Sequence, residues 1–174
     1  MKHLKQFLIL SLLAIIGTGQ MLGETKTIVF TTGSSSSTTA ATINTSASDD
    51  IATLSVSTCY ARDNGMFISS NNNAGTATLT MKAAGQVKAT KIVTTIAGTL
   101  SKEISIQVTY TDDTKSTKTG LGTTAGAIDT ELDDTKTIKS IQYTAASKSK
   151  ASISQLVIHV AGGSQKPSLL FDPS

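Results

Sequence analysis

Four segments rich in Ile, Val, Thr and Tyr decide the fold: KATKIVTTIAG (88–98), KEISIQVTY (102–110), TKTIKSIQYTA (135–145) and ASISQLVIHV (151–160). Such residues between polar, turn-forming stretches are typical of β-strands. In the second segment Ile104, Ile106, Val108 and Tyr110 alternate with polar residues, as in a strand with one buried face. The chain is therefore predicted to be an antiparallel β protein.

The order of these segments predicts two hairpins. Residues 88–98 are expected to pair with 102–110, and 135–145 with 151–160. The two pairs share a similar order of residues, which suggests two similar hairpins of one sandwich. The long polar stretch at 111–134 is expected to cross from one sheet to the other.

The region 51–82 predicts a three-stranded meander. Alternation from Ala52 to Tyr60 indicates one half-buried strand, and the Asn64-Gly65 pair predicts a tight hairpin turn. A second polar turn at 71–75 precedes a strand at 76–82. With eight or nine strands in all, the predicted fold is an all-β, antiparallel β-sandwich of jelly-roll type.

The first 23 residues differ in kind from the rest. Lys2 and Lys5 precede a mostly apolar run at 7–16, and small residues follow at Gly17 and Gly23. This is the pattern of a secretory signal peptide, and the run is shorter than the roughly 20 residues that span a membrane. The sequence predicts a secreted or cell-surface protein without stable membrane insertion after cleavage.

The other chain terminus predicts a boundary as well. Residues 162–167 (GGSQKP) have the composition of a linker, and PSLLFDPS (167–174) is similar to the opening strand of an immunoglobulin-like module. The expected division is a signal peptide at 1–23, a β-sandwich at 24–162, and a linker or the start of a truncated following domain at 163–174.

Charge and composition exclude several classes of partner. Without Lys2 and Lys5, 13 basic residues face 12 acidic ones, so the mature chain is close to neutral. Nucleic-acid binding needs a concentrated basic face and, for single strands, stacking aromatic rings, and the chain has no Trp. About a third of residues 24–174 are Ser or Thr, which is typical of extracellular β modules.

No residue pattern predicts catalysis. Cys59 is expected to be a small buried side chain, and His159 a structural residue, since a lone His makes no zinc site. The densest acidic group is Asp112, Asp113, Asp129, Glu131, Asp133 and Asp134. Lysines lie among these residues, as in a solvated loop, whereas a glycosidase needs two carboxylates at a fixed separation.

Two kinds of ligand site are considered. No cofactor is expected except calcium, which suits loops rich in Asp and backbone oxygens; its candidate ligands are Asp49, Asp50, Asp133 and Asp134. For a glycan, candidates that combine an aromatic ring with amide and charged groups are Tyr60, Arg62, Asp63, Asn64, Asn71, Asn72 and Asn73. The alternative is an ordinary hairpin with Tyr60 in the core.

Several stretches also carry a family resemblance: TIVFTT (27–32), GMFISSNNNAGTATLTM (65–81), KATKIVTTIAG (88–98) followed by ISIQV (104–108), and ISQLVIHV (153–160). They resemble secreted jelly-roll modules of surface proteins in gut bacteria, which look like carbohydrate-binding or galactose-binding-like domains. The resemblance implies a non-catalytic accessory module with an adhesive or scaffolding role.

The predicted function is accordingly a non-enzymatic, secreted module that binds a glycan or adheres to a surface protein. One alternative is a structural spacer in a multidomain surface or fibre protein. A second alternative is a hydrolase that uses loop carboxylates such as Asp133 and Asp134.

Overall fold

The chain folds into two antiparallel β-sheets. A computed structural model describes residues 24–30, 45–46, 51–62, 65–70, 72–97, 102–149 and 151–162. The strands in these residues are β1 (Thr25–Phe30), β2 (Thr45–Ser46), β3 (Ala52–Ser57), β4 (Cys59–Arg62), β5 (Gly65–Ile68), β6 (Gly75–Met81), β7 (Ala89–Ile96), β8 (Ile104–Tyr110), β9 (Lys115–Lys118), β10 (Gly126–Glu131), β11 (Ile138–Ala145) and β12 (Ala151–Val160). The predicted signal peptide at 1–23 and linker at 163–174 lie outside this part of the chain.

Strand pairing defines a sandwich. Sheet A has the order β10-β7-β12-β1-β2, and the β4–β5 hairpin joins it because β5 pairs with β12. Sheet B has the order β3-β6-β11-β8-β9. Consecutive strands alternate between the sheets from β5 to β8 and again from β9 to β12. The fold is an antiparallel β-sandwich of jelly-roll type, as predicted.

The core forms where the two sheets face each other. The predicted alternation in β8 is confirmed, because Ile104, Ile106, Val108 and Tyr110 are all buried. Opposite them, sheet A contributes buried aliphatic side chains from β7 and β12, among them Ile158. Burial of one such side chain contributes about 1.5–3 kcal/mol, so the core carries most of the stability.

The two predicted hairpins are wrong. The strand at 88–98 does not pair with 102–110, because β7 pairs with β10 and β12, whereas β8 pairs with β9 and β11. In the same way β11 lies in sheet B and β12 in sheet A. Alternation shows that each strand has a buried face, but placing consecutive strands in opposite sheets buries those faces equally well.

The meander predicted at 51–82 is also wrong, although its first turn is correct. The run from 52 to 60 breaks at Thr58, whose φ of 54° turns the chain from β3 in sheet B to β4 in sheet A. The hairpin turn before Gly65 is confirmed, since β4 and β5 pair around it with Arg62 opposite Gly65. The next strand, β6, pairs with β3 and β11 rather than with β5.

The polar stretch 111–134 crosses from sheet B to sheet A, as predicted, but it is not a plain loop, and the strands before and after it, β8 and β11, lie in the same sheet. It contains β9, which pairs with β8 in sheet B, and β10, which pairs with β7 in sheet A. Sequence patterns did not predict these short edge strands, because they have no strong apolar alternation. The described residues therefore contain twelve strands rather than the expected eight or nine. The Nζ of Lys118 in β9 donates to the backbone carbonyl of Asp129 in β10 at 2.5 Å. This bond links the two sheets along one side.

Among the described residues, no helix is long and apolar enough to cross a membrane. The single helical turn there is the 3-10 segment Ala83–Gly85 between β6 and β7.

Candidate functional site

An aromatic pair lies on the outer face of the β4–β5 hairpin. Tyr60 and Phe67 are direct cross-strand partners. Their neighbours Cys59, Met66 and Ile68 are buried in the core, so alternation places both rings on the opposite, outer face. Both aromatic residues are partly exposed. Tyr60 is therefore not fully buried in the core.

Phe67 was not among the candidate residues, although the sequence held the signal for it. A two-residue turn that sets Arg62 opposite Gly65 also sets residue 61 opposite Met66 and Tyr60 opposite Phe67. The register of a hairpin thus follows from its turn, and it could have identified the second ring.

Residues 69–70 and 72–74, which follow the hairpin, are held by several hydrogen bonds. The N–H of Ser69 donates to the Thr58 carbonyl at 2.9 Å, and the N–H of Lys148 donates to the Ser70 carbonyl at 2.7 Å. The Ser70 hydroxyl oxygen accepts from the backbone N–H of Asn73 at 3.1 Å. These bonds fix the loop while both Asn72 and Asn73 remain exposed. Their amides are thus presented to solvent on an ordered backbone.

Backbone strain is concentrated at this end of the sandwich. Of the four described non-glycine residues with positive φ, three meet here: Thr58 at 54°, Ser69 at 81° and Lys148 at 65°. A Cβ on Gly75 would lie 2.7 Å from the Thr58 carbonyl oxygen and would also meet the Ser69 nitrogen. Such conformations cost about 1–3 kcal/mol each and cluster at functional sites. The strain therefore favours this end as the candidate site.

The structure describes four of the seven predicted glycan-binding residues, Tyr60, Arg62, Asn72 and Asn73. Tyr60 lies near the loop that carries Asn72 and Asn73, because Cys59 pairs with Ile68 directly before Ser69. Arg62 lies two residues beyond Tyr60 along β4, about 7 Å further from that loop. Three other candidates, Asp63, Asn64 and Asn71, lie outside the described residues.

The acidic residues of the opposite end are held by lysines and threonines. The Oδ1 of Asp133 accepts from the backbone N–H and hydroxyl of Thr135, and Lys136 lies 3.1 Å from Asp112. The pKa of Asp112 is lowered to about 2 by the Thr114 hydroxyl and N–H and by Lys136. The pKa of Asp133 is likewise lowered, by its bonds to Thr135.

These lowered pKa values do not suit Asp112 and Asp133 to the general-acid role of a glycoside hydrolase. A general acid in glycoside hydrolysis needs a raised pKa so that it keeps its proton near neutral pH. Asp112 and Asp133 are instead stabilised as anions. In the described part of the chain no three His, Cys, Asp or Glu side chains are grouped to hold a metal. Of the other calcium candidates, Asp134 is exposed, whereas Asp49 and Asp50 lie outside the described residues.

Cys59 has the buried position that the sequence predicted, and His159 lies on the last strand. Cys59 is buried, its thiol donates to the Thr76 carbonyl at 3.2 Å, and burial raises its pKa to about 12. Such a thiol is inert as a nucleophile. His159 lies on β12 opposite Lys91 of β7. Lys91 forms an ion pair of 2.6 Å with Asp129.

The outer face of sheet B carries mostly neutral residues over four strands, with Lys139 of β11, which pairs with Asp113, as a charged exception. At its centre Gln142 lies beside Gln107 and donates to the Thr78 hydroxyl at 2.9 Å. We call the following residues the hydroxyl face: Thr53, Ser55, Ser57, Thr76, Thr78, Thr80, Ser105, Gln107, Thr109, Ser140, Gln142 and Thr144. All are neutral hydrogen-bonding residues, and none is aromatic.

The sequence matches no protein-family model and no curated protein. Two solved structures of a family 29 carbohydrate-binding module are similar to the chain. One, a variant in complex with cellulohexaose, has 13% identity and a TM-score of 0.43, covering 78% of this chain and 88% of that one. The other, a variant in complex with mannohexaose, has 11% identity and a TM-score of 0.44, covering 79% and 89%.

Proposed function

We propose that the protein is a non-catalytic, secreted or cell-surface module that binds neutral glycans at the β4–β5 hairpin. The observation that carries this proposal is the pairing of Tyr60 with Phe67 on one outer face. Ring faces pack against the apolar faces of sugars, and a few well-placed polar groups fix the ligand's orientation. The exposed amides of Asn72 and Asn73 supply such groups.

The geometry of the hairpin suits an extended ligand. Cross-strand partners have Cβ atoms about 4.5–5.5 Å apart, so the two rings form one continuous platform. The hairpin is anchored by the core through Met66 and Ile68 and by β12, which pairs with β5. A platform held in this way loses little conformational entropy on binding. The proposal also includes secretion of the protein through the predicted leader and an adhesive role in a bacterial surface protein.

The test is a glycan-array screen of the purified mature chain, compared with Tyr60→Ala and Phe67→Ala. Removal of either ring should weaken binding at least about tenfold, which corresponds to about 1.4 kcal/mol. Phe67→Tyr keeps the ring and should keep binding. Thr27→Ala, on the outer face of the same sheet, serves as the control. Binding that is unchanged in both alanine variants would refute the site.

The same screen, repeated with a chelator, tests calcium. We expect binding to be unaffected, because Asp133 is already engaged by Thr135 and stacking needs no metal. Loss of binding with chelator would instead establish a calcium site and bring Asp49, Asp50 and Asp134 back into consideration.

A structural spacer is the second candidate function. The hydroxyl face favours it, because a large uncharged surface without aromatic rings is suited to packing beside a neutral neighbour rather than to stacking on sugars. Failure to bind any glycan, with or without calcium, would favour this alternative. A partner would then be sought among surface proteins.

A further inference from the structure

The edge strands of the sandwich differ in charge. β9 carries Lys115 and Lys118, and β10 carries Asp129 and Glu131. In contrast β3 reads ATLSVS and has no charged residue and no Pro. Edge strands are usually protected from pairing with other chains by charges, Pro or bulges. β3 lacks all three, since its register with β6 is continuous.

The backbone of β3 has one edge that β6 does not use. The Ile51 carbonyl accepts from the N–H of Lys82, which follows β6. Because backbone groups alternate in direction along an antiparallel strand, Thr53 and Ser55 also face β6, and Leu54 and Val56 point their N–H and C=O groups away from it. Within the described residues, β6 is the strand with which β3 pairs.

The side chains of β3 define what could pair with this edge. Leu54 and Val56 are partly buried against the core, whereas Thr53, Ser55 and Ser57 are exposed on the hydroxyl face. A complementary strand must therefore be uncharged, with small apolar residues on one face and hydroxyls on the other. A second β3 meets each of these conditions.

We infer that β3 is a self-association edge at which two copies of this chain pair antiparallel about a twofold axis. Pairing in this way joins two five-stranded sheets into one and extends the hydroxyl face across both copies. Registers that set Leu54 opposite Leu54 or Val56 keep the apolar residues on the core side, whereas a one-residue slip reverses the faces. Ser55 then lies opposite Ser55 or Thr53 of the other copy.

The test compares two variants with equal added charge. Thr53→Lys with Ser55→Lys places like charges opposite each other in the paired strands, which is destabilising. Ser105→Lys with Gln107→Lys adds the same charge to the hydroxyl face on β8, an interior strand. Circular dichroism melting checks that each variant is folded.

Sedimentation of the mature chain from roughly 10 µM to 1 mM covers the range expected for an interface smaller than the standard size. The wild type and the β8 variant should dimerise as concentration rises, and the β3 variant should have a dissociation constant at least tenfold higher. A wild-type protein that stays monomeric throughout would overturn the inference. So would an equal loss of dimer in both variants.

Hydrogen exchange of the Leu54 and Val56 amides gives an independent result. Their protection should rise with protein concentration, because their N–H groups form the contact between copies. Protection that is equally high at all concentrations would show that the same chain covers the edge, and it too would overturn the inference. This inference does not depend on glycan binding, so either proposal can fail alone.

Discussion

A hydrogen bond across the core gives the sharpest test of how the sheets are held together. The phenol of Tyr143 in sheet B lies 2.8 Å from the Thr94 hydroxyl in sheet A, and both residues are completely buried. Burial raises the pKa of Tyr143, so the phenol stays neutral over the ordinary pH range. The pair is thus a neutral hydrogen bond between buried groups of the two sheets.

The expected cost of breaking this bond follows from burial. Tyr143→Phe leaves the Thr94 hydroxyl buried without its partner, and Thr94→Val does the same to the phenol. A buried group left unsatisfied costs about 1–3 kcal/mol, whereas replacing both partners with apolar groups of similar shape is nearly neutral. With about 2 kcal/mol lost in each single variant and almost nothing in the double, the double variant should be more stable than the sum of the single changes by about 4 kcal/mol.

Urea unfolding followed by circular dichroism measures these differences. With a slope of about 1–3 kcal/mol per molar urea, a loss of 2 kcal/mol moves the midpoint by about 1 M. Single variants that match the wild type would refute the assignment. A double variant that loses the full sum of both changes would do so as well, because it would show that Tyr143 and Thr94 do not interact.

Two further changes test the ends of the sandwich. The folded pKa of Asp112, about 2, lies below its ordinary value of 3.8, so its contribution to stability is present above pH 3.8 and is lost as the pH falls through 2. Asp112→Asn should therefore flatten the decline of the urea midpoint between these pH values. An unchanged decline would contradict this. Gly75→Ala should lower stability by about 2 kcal/mol or more, because its Cβ meets backbone atoms. Gly162→Ala, at a position with open space around it, should leave the urea midpoint unchanged.

The sequence predicted those features of the fold that local residue patterns determine. Strict alternation identified β8 and its buried face, and the residues before Gly65 identified the β4–β5 hairpin. Both features depend on residues close together in the chain: side chains alternate with a period of two, and a tight turn sets its own register. The all-β class follows from the same patterns.

Partners that are distant in the chain were not predictable in this way. β12 pairs with β1, which lies more than 120 residues earlier, and nothing in either strand specifies that choice. The bend at Thr58 was missed for a related reason. A β-branched residue with positive φ is unfavourable on its own, so only contacts such as the Ser69 N–H to the Thr58 carbonyl explain it.

The candidate site was predicted in part for the same physical reason. Tyr60, Asn72 and Asn73 were recognised as residues of suitable chemistry near turns. Their common location depends on the crossing from β5 to β6, which sequence patterns read as a simple turn. The clustering of strained residues at this end is likewise a property of three chain segments packed together.

The bend at Thr58 also connects the two proposals. Only Thr58 and Cys59 separate the end of β3 from Tyr60, so the association edge and the aromatic platform belong to one bent strand. In an antiparallel pair of β3 strands the two bends lie at opposite ends, about 20 Å apart for six residues. A polymer long enough to reach both hairpins would bind with avidity, because the second contact becomes intramolecular. A short oligosaccharide would meet one hairpin only, so self-association would select for chain length rather than for sugar type.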